Sequence, residues 1–396
     1  MTNSTGPGAA AGQERKVCIV VASPMTAEAF LRDQLIHLGN EYDLTVVANS
    51  PDDGFLKRIG ARADFIPVLI SRRVDLRRDL AALSALYKIF RKRKFDLVHS
   101  VTPKAGLLSM IAAVLSGVSI RIHTFTGQVW VTRRGIVRFI FKVTDRLLAL
   151  CATHVLVDSS SQREFLVRNR VVGRKKTSVL GSGSISGVDL ARFRPDAEVR
   201  NSLRTQLQIP DEAVVFLYVG RLNRDKGIPE LLSGFEMVLA RVPNAWLLIV
   251  GPDEEALGNE IEKSPASRHI KQVGYTDEPE RYMAGADVFV LPSHREGFGS
   301  TVIEAAATGI PSIASRIYGL TDAVLDGKTG LLVEAKDVNA LARAMKHLAL
   351  NEEQRLRMGL AARERATQEF SMEIVTAYTL NYYRGLLEGS GENQAL

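Results

Sequence analysis

The sequence predicts an α/β protein built from two Rossmann-like halves. Short apolar runs alternate with helical stretches of ten residues or more from Lys16 to Ser160, the pattern of parallel βαβ units. The alternation stops in the glycine- and serine-rich stretch before Pro195 and restarts at Ala213. A chain of 396 residues with 46% hydrophobic content is long enough for two cores.

In the first half, KVCIVVAS (16–23) reads as a strand, Ala27–His37 as a helix and DLTVVAN (43–49) as a second strand. DFIPVLI (64–70) is a short strand, followed by a basic helix over 72–94. DLVHSV (96–101) precedes a helix over Lys104–Leu115 that stops at Gly117. SIRIHTF (119–125), a helix from about Gly135 to Leu150, and THVLVDSS (153–160) complete the unit, with one more strand near Lys176–Leu180. In the second half the strands are AVVFLYVG (213–220), AWLLIVG (245–251), IKQVGY (270–275), DVFVLPS (287–293), PSIASR (311–316) and GLLVEA (330–335). Helices start near Gly227, span 278–286, and begin again at the Glu304 segment. Ala340–Leu350 and Glu352–Gln368 are helical, and Ser371–Leu387 puts Ile374, Tyr378, Tyr382 and Leu386 on one face. The division is 15–190, 191–370 and a final helix over 371–390, after a disordered extension over 1–14 that lacks the features of a secretory signal.

Composition excludes several classes. No run of 18 uncharged apolar residues occurs, so a membrane span is not expected. Cys18 and Cys151 lie in apolar contexts without metal-ligand company, which suits a reducing compartment. The first strand lacks G-x-G-x-x-G, which argues against a nicotinamide enzyme. The formal charge of +7 is concentrated: Arg72–Lys94 holds nine Lys or Arg against two Asp, with Leu76, Leu80, Leu83 and Tyr87 at helical spacing. An anionic membrane surface is the functional reading and a solvated helix face the alternative. Nucleic acid is not expected, since zinc-finger, ribonucleoprotein and basic-zipper motifs are absent from the sequence.

The richest segment is SHREGFGSTVIEAAATG (293–309). Glu296 and Glu304 stand eight residues apart, with a glycine loop and a helix start between them. That combination makes a place for an anion, and the two carboxylates accept hydroxyls such as those of a ribose or sugar. Phe298 is expected to pack inward, and Gly297 and Gly299 to allow positive φ or close ligand approach. Glu304 has a structural alternative, a capping box with Thr301 or a weaker cap by Ser300. After the strand ending at Gly220, Arg221 and Lys226 can reach one anion together, as a departing diphosphate requires.

EGFG-x4-E, Arg221 with Lys226, GVDLARF (187–193) and DVFVLPS resemble the GT-B retaining glycosyltransferases of the large family four, from Lys16 to about Leu387. The resemblance implies two Rossmann-like domains facing each other across a cleft, and sugar transfer from a nucleotide donor with retention and without a metal or other cofactor. It gives Arg221 and Lys226 the diphosphate, Glu296 the donor sugar beside the backbone of Phe298, Gly299 and Ser300, and Glu304 the ribose. The final helix crosses back onto the N-terminal domain. His123 stands where family members carry a histidine that contacts the donor sugar, with a structural histidine as the alternative. Base discrimination falls near Gly274, Tyr275 and Thr276. Uridine diphosphate is the donor nucleotide that this branch commonly uses, and guanosine diphosphate stays open. Front-face attack needs no catalytic base.

VHSVTPKAGLLSMIAAVLSG and IHTFTGQVWVTRRG are similar to bacterial enzymes that extend undecaprenyl-diphosphate-linked sugars in surface glycan assembly. Trp130, Val131, Arg133 and Arg134 form an apolar and basic cluster, and Arg134, Arg138, Lys142 and Arg146 repeat every four residues. A peripheral contact on the inner face of the cell membrane is therefore expected. Ser23, Thr26 and Lys104 are the candidates on the acceptor side, although the loop after the first strand lacks the family's glycine pair. A soluble transferase with a small sugar acceptor, a nucleotide-sugar epimerase and a non-catalytic sugar-nucleotide binding protein are the other readings.

Overall fold

The computed structural model describes residues 15–71 and 75–389. The expected N-terminal extension, Arg72 and Arg73 of the basic segment, and residue 390 of the expected final helix lie outside the described residues. Two parallel sheets carry the fold, and they part between Ser178 and Val214. By compactness the chain divides elsewhere, into a unit up to Ile122 that includes the last helix from Arg384, and a unit from His123 to Tyr383.

The first sheet has the order β3-β2-β1-β4-β5-β6-β7. Its strands are β1 (Lys16–Val20), β2 (Asp43–Ala48), β3 (Asp64–Pro67), β4 (Leu97–Val101), β5 (Ile120–Phe125), β6 (His154–Val157) and β7 (Thr177–Ser178). The connecting helices are α1 (Pro24–Phe30), α2 (Arg32–Glu41), α3 (Gly54–Ile59), α4 (Leu76–Arg93), α5 (Pro103–Ser116), α6 (Gly135–Cys151) and α7 (Ser160–Arg168). β1 is buried along nearly its whole length, as the unbroken apolar run requires of a central parallel strand. The expected helix over 27–37 is two helices, broken at Leu31 (φ −122°, ψ 5°), whose buried side chain fixes the corner.

α4 turns a row other than the Leu76, Leu80, Leu83 and Tyr87 stripe inward. It buries Ala82, Leu86 and Phe90, so Leu76, Leu80 and Tyr87 are exposed and Leu83 only half-buried. The spacing of four selects the longer Ala82–Leu86–Phe90 row, and Phe90 meets Phe95 edge to face at 5.9 Å. Cys18 and Cys151 are not joined in a disulfide, and burial pushes the Cys18 thiol far up, leaving it unreactive.

The second sheet has the order β10-β9-β8-β11-β12-β13. After α8 (Ala197–Leu207) its elements are β8 (Val214–Val219), α9 (Ile228–Leu239), β9 (Ala245–Val250), α10 (Gly258–Lys263), β10 (Ile270–Val273), α11 (Pro279–Gly285) and β11 (Val288–Leu291). Then come α12 (Ser300–Ala307), β12 (Ser312–Ser315), α13 (Leu320–Ala323), β13 (Gly330–Val333), α14 (Val338–Leu350), α15 (Glu352–Glu369) and α16 (Met372–Glu388). The strand order reverses between β8 and β11, whose carboxyl ends therefore flank the switch point where doubly wound sheets bind ligands.

A polar pillar around the buried Arg204 fixes that pair. Asp287, just before β11, accepts from Arg204 at 2.8 Å, from Arg200 at 2.7 Å and from the Val215 amide at 2.7 Å. Arg204 spends its remaining donors on the carbonyls of Asp211, Ala213 and Gly285. A guanidinium out of water is tolerable only with its hydrogen bonds made. In α16 the buried row is Val375, Thr379, Tyr383 and Leu387, one residue round from the predicted face, with Ile374, Tyr378, Tyr382 and Leu386 half-buried beside it.

Candidate active site

The loop after β8 is folded by its own polar residues. The Asn223 side chain accepts from the Lys226 amide at 3.1 Å and so closes the single turn over 224–226. That turn aims Lys226 at the loop after β11, where its Nζ stands 2.5 Å from Glu296 Oε1. Ser293 Oγ donates to the same oxygen at 2.8 Å. Arg221 donates to both oxygens of Glu254, at 3.0 and 2.9 Å, and Asn223 Nδ2 joins them at 3.0 Å. Tyr218, whose hydroxyl donates to the Arg221 carbonyl at 2.8 Å, lies in the field of Glu296, Arg221 and Glu254 together. Two cations from one loop are thus braced by carboxylates from the strands on either side.

The Glu296 loop is held by close backbone packing. A Cβ on Gly297 would lie 2.5 Å from the Thr126 carbonyl oxygen and 2.6 Å from Asp158 Oδ2, so no side chain fits. Gly299 has φ +88° and is itself the N-cap of α12, with no side-chain cap bond. The capping box between Thr301 and Glu304 is therefore not formed, and Ser300 does not cap either. Amides uncapped by side chains at the start of an eight-residue helix favour negative charge. Phe298 is buried and packs on Phe370 at 5.3 Å.

Glu304 is partly buried, and its carboxyl is pushed up to about 7 by that burial, with Arg192 opposing and Glu280 reinforcing the shift. Arg192 pairs with Glu280 at 2.7 Å and donates to the Asp277 carbonyl. Tyr275, exposed at the end of β10 after Gly274, donates to Asp277 Oδ1 at 2.6 Å. Glu304, Arg192, Glu280 and the turn after β10 therefore form one connected group.

Sequence reasoning missed Asp158. It is 4% exposed, one of its oxygens has no hydrogen-bond partner among the described residues, and burial pushes its carboxyl up to about 8. Its amide donates to Gln162 Oε1 at 2.7 Å, and Gln162 donates on to the Phe125 carbonyl at 3.2 Å. Gln128, also buried, leaves its side-chain nitrogen without a hydrogen-bond partner among the described residues. The only signal in the sequence is position, a carboxylate one residue past a strand end.

Models of two families match consecutive parts of the chain: glycosyl transferase 4-like domain over residues 18–183 and glycosyl transferases group 1 over 199–365. The capsular polysaccharide biosynthesis glycosyltransferase CapM of Staphylococcus aureus is 32% identical over 334 residues, covering 83% of this chain and 86% of that protein. The chain belongs to the group 1 glycosyl transferases. An Escherichia coli UDP-Gal:alpha-D-GlcNAc-diphosphoundecaprenol alpha-1,3-galactosyltransferase is 30% identical over 302 residues, covering 73% of this chain and 76% of that one. Anabaena HepE, solved with UDP and glucose, superposes with a TM-score of 0.78 at 17% identity, over 94% of this chain and all of that one. That likeness shows the GT-B fold.

The transferase places its other predicted residues variously. His123 is buried edge-on to Phe125 at 4.6 Å, and the neighbouring Thr126–Gly127 backbone abuts Gly297. Ser23 and Thr26 face each other at 3.3 Å across the start of α1. Lys104 is paired with Asp79 at 2.6 Å. His99 is buried, and burial pushes it down to about 3, so it stays neutral. Arg133 and Arg134 are exposed. Trp130 corrects the expectation of an interfacial tryptophan: it is fully buried, donates to Asp145 at 2.8 Å and stacks on Phe165 at 5.2 Å. Its indole N–H needs the buried carboxylate, and Asp145 faces inward on α6. Among the described residues, no three His, Cys, Asp or Glu side chains are grouped to hold a metal ion.

Proposed function

We propose that this glycosyltransferase moves a hexose or N-acetylhexosamine from a uridine-diphosphate sugar, with retained configuration, to a polyprenyl-diphosphate-linked saccharide at the inner face of the cell membrane. The observation that carries the donor side is the Lys226–Glu296 pair at 2.5 Å beside Arg221, at the switch point of the second sheet. A bound diphosphate competes for Lys226 and Arg221, which leaves Glu296 to accept from sugar hydroxyls. Glu304 accepts from the ribose, and Gly274 and Tyr275 edge the base, with Gly220, Ser300 and Thr301 lining the phosphates. His123 contributes from the 123–128 segment. Residues 15–190 take the acceptor and 191–370 the donor.

The bond from the anomeric carbon to the β-phosphate oxygen breaks as the bond to the acceptor hydroxyl forms on the same face. The acceptor proton passes to the departing phosphate, so no protein base is needed. Arg221 and Lys226 stabilise the charge that grows on the diphosphate, and Glu296 holds the sugar in place. The acceptor class is supported by the name of the Escherichia coli relative, whose acceptor is a diphosphoundecaprenol-linked sugar.

The test is transfer from a panel of UDP-sugars to a short-chain polyprenyl-diphosphate saccharide, with the product's anomeric configuration read by NMR. Transfer with retention is expected. Efficient transfer only to free sugars or sugar phosphates, or an inverted product, contradicts the reading.

A further inference from the structure

α6 is amphipathic the wrong way round for a helix on a soluble body. Ile136, Phe139, Ile140, Val143, Leu147 and Leu150, spaced by three, one, three, four and three residues, are all exposed, Ile136 by 69% and Leu150 by 75%. They form one stripe along the helix. Asp145, Lys142 and Arg146 of α6 face the body and are used there. Asp145 is buried on the Trp130 indole. Lys142 donates to Asn169 Oδ1 at 2.9 Å, and Arg146 donates to the carbonyls of Arg170 and Asn169 at 2.9 and 3.2 Å. Arg138 and Lys142 also stand over the Trp130 ring, at 5.7 and 5.3 Å. Lys142 and Arg146 of the cationic row are thus spent on anchoring the helix, while Arg134 and Arg138 stay exposed, and the helix cannot roll to hide its stripe without breaking those bonds.

We propose that the α6 stripe inserts into an anionic lipid bilayer. The inference rests on the lipid-linked acceptor reading only for its purpose; the geometry stands without it. Lipid fits better than a second copy of the chain, because exposed Arg133, Arg134 and Arg138 stand at the same end of the stripe in a protein of formal charge +7. Acidic headgroups neutralise those arginines while the acyl region takes the apolar side chains. α4 of the other unit carries exposed apolar residues of its own, Leu76, Leu80 and Tyr87.

The test is co-sedimentation of the full chain with phosphatidylcholine vesicles, with and without phosphatidylglycerol. Binding that needs the anionic lipid is expected, and Ile140→Glu with Leu147→Glu should weaken it by about tenfold or more. Leu356→Glu, at an exposed apolar position of α15, should leave it unchanged. A fluorophore on Ile140→Cys, in a Cys151→Ser background, should shift to the blue on vesicles; this reads insertion even if the double variant folds poorly. Wild-type binding unaffected by the α6 substitutions, an unshifted fluorophore, or a dimer in solution that the substitutions dissolve would each overturn the proposal. Transfer to a water-soluble acceptor, followed in the same samples, separates the two readings. Lost vesicle binding with intact soluble transfer supports the stripe. Vesicle binding through α6 by an enzyme that ignores lipid-linked acceptors supports it too, and overturns the acceptor assignment alone.

Discussion

The side chains proposed to carry the chemistry are held by partners that the linear sequence does not display. Arg221, Lys226, Glu296 and Glu304 could be singled out because glycine spacing and strand ends frame them. That Lys226 and Glu296 form a pair could not, because it depends on the register that sets β8 beside β11. Lys226→Ala is expected to lower turnover by about 100-fold or more. A double-mutant cycle with Glu296→Ala should show strongly non-additive losses, since each residue positions the other. Additive effects would separate the two roles. Asp158 offers a pH signature. Its folded value of about 8 lies well above the ordinary range near 3.9, so between those limits the native state keeps a proton that the unfolded chain releases. Stability therefore falls as pH rises from about 4 to about 8. Asp158→Asn should remove that slope, seen as a Tm that gains on wild type towards pH 8; parallel Tm curves would contradict it. Gly297→Ala forces an atom against Thr126 and Asp158, and should cost about 1–3 kcal/mol of stability along with activity. Unfolding in urea checks the figure.

Elements were more legible than their faces. Nearly every strand falls where apolar runs predict it, because a buried parallel strand needs little but a β-branched run bounded by turns. The helices missed were mostly short or polar, such as α3, α7, α8 and α10, where periodicity has too few turns to register. Faces failed where neighbours decide. The cationic row of α6 reads as a stripe for an anionic surface by composition, yet Lys142 and Arg146 turn inward, where Asn169 and two carbonyls take up their donors, and only Arg134 and Arg138 stay exposed. α8 matters beyond its length, since its Arg204 holds Asp287 and through it β11. Arg204→Ala takes from the half-buried Asp287 one of its two guanidinium partners and should destabilise the protein by about 1.5–3 kcal/mol. A loss within about 1 kcal/mol in chemical denaturation would show that Arg200 alone suffices to hold β11.

For the whole molecule, the two sheets and the family were both readable from one sequence, since alternation and the EGFG-x4-E motif survive any local error. The compact units were not: the sequence changes character near residue 190, whereas compactness divides the chain at Ile122. Composition reports linkers, and the segment from His123 packs with the second sheet's loops because Gly127 and Asp158 meet the backbone and flank of Gly297. The central claim concerns the donor. Calorimetric titration of the full chain with UDP, GDP and ADP, repeated on Arg221→Ala, tests it most directly. Selective binding of UDP, clearly weakened by the substitution, is the predicted result. A folded protein that binds none of the three, or binds UDP equally well without Arg221, would contradict the assignment of this site.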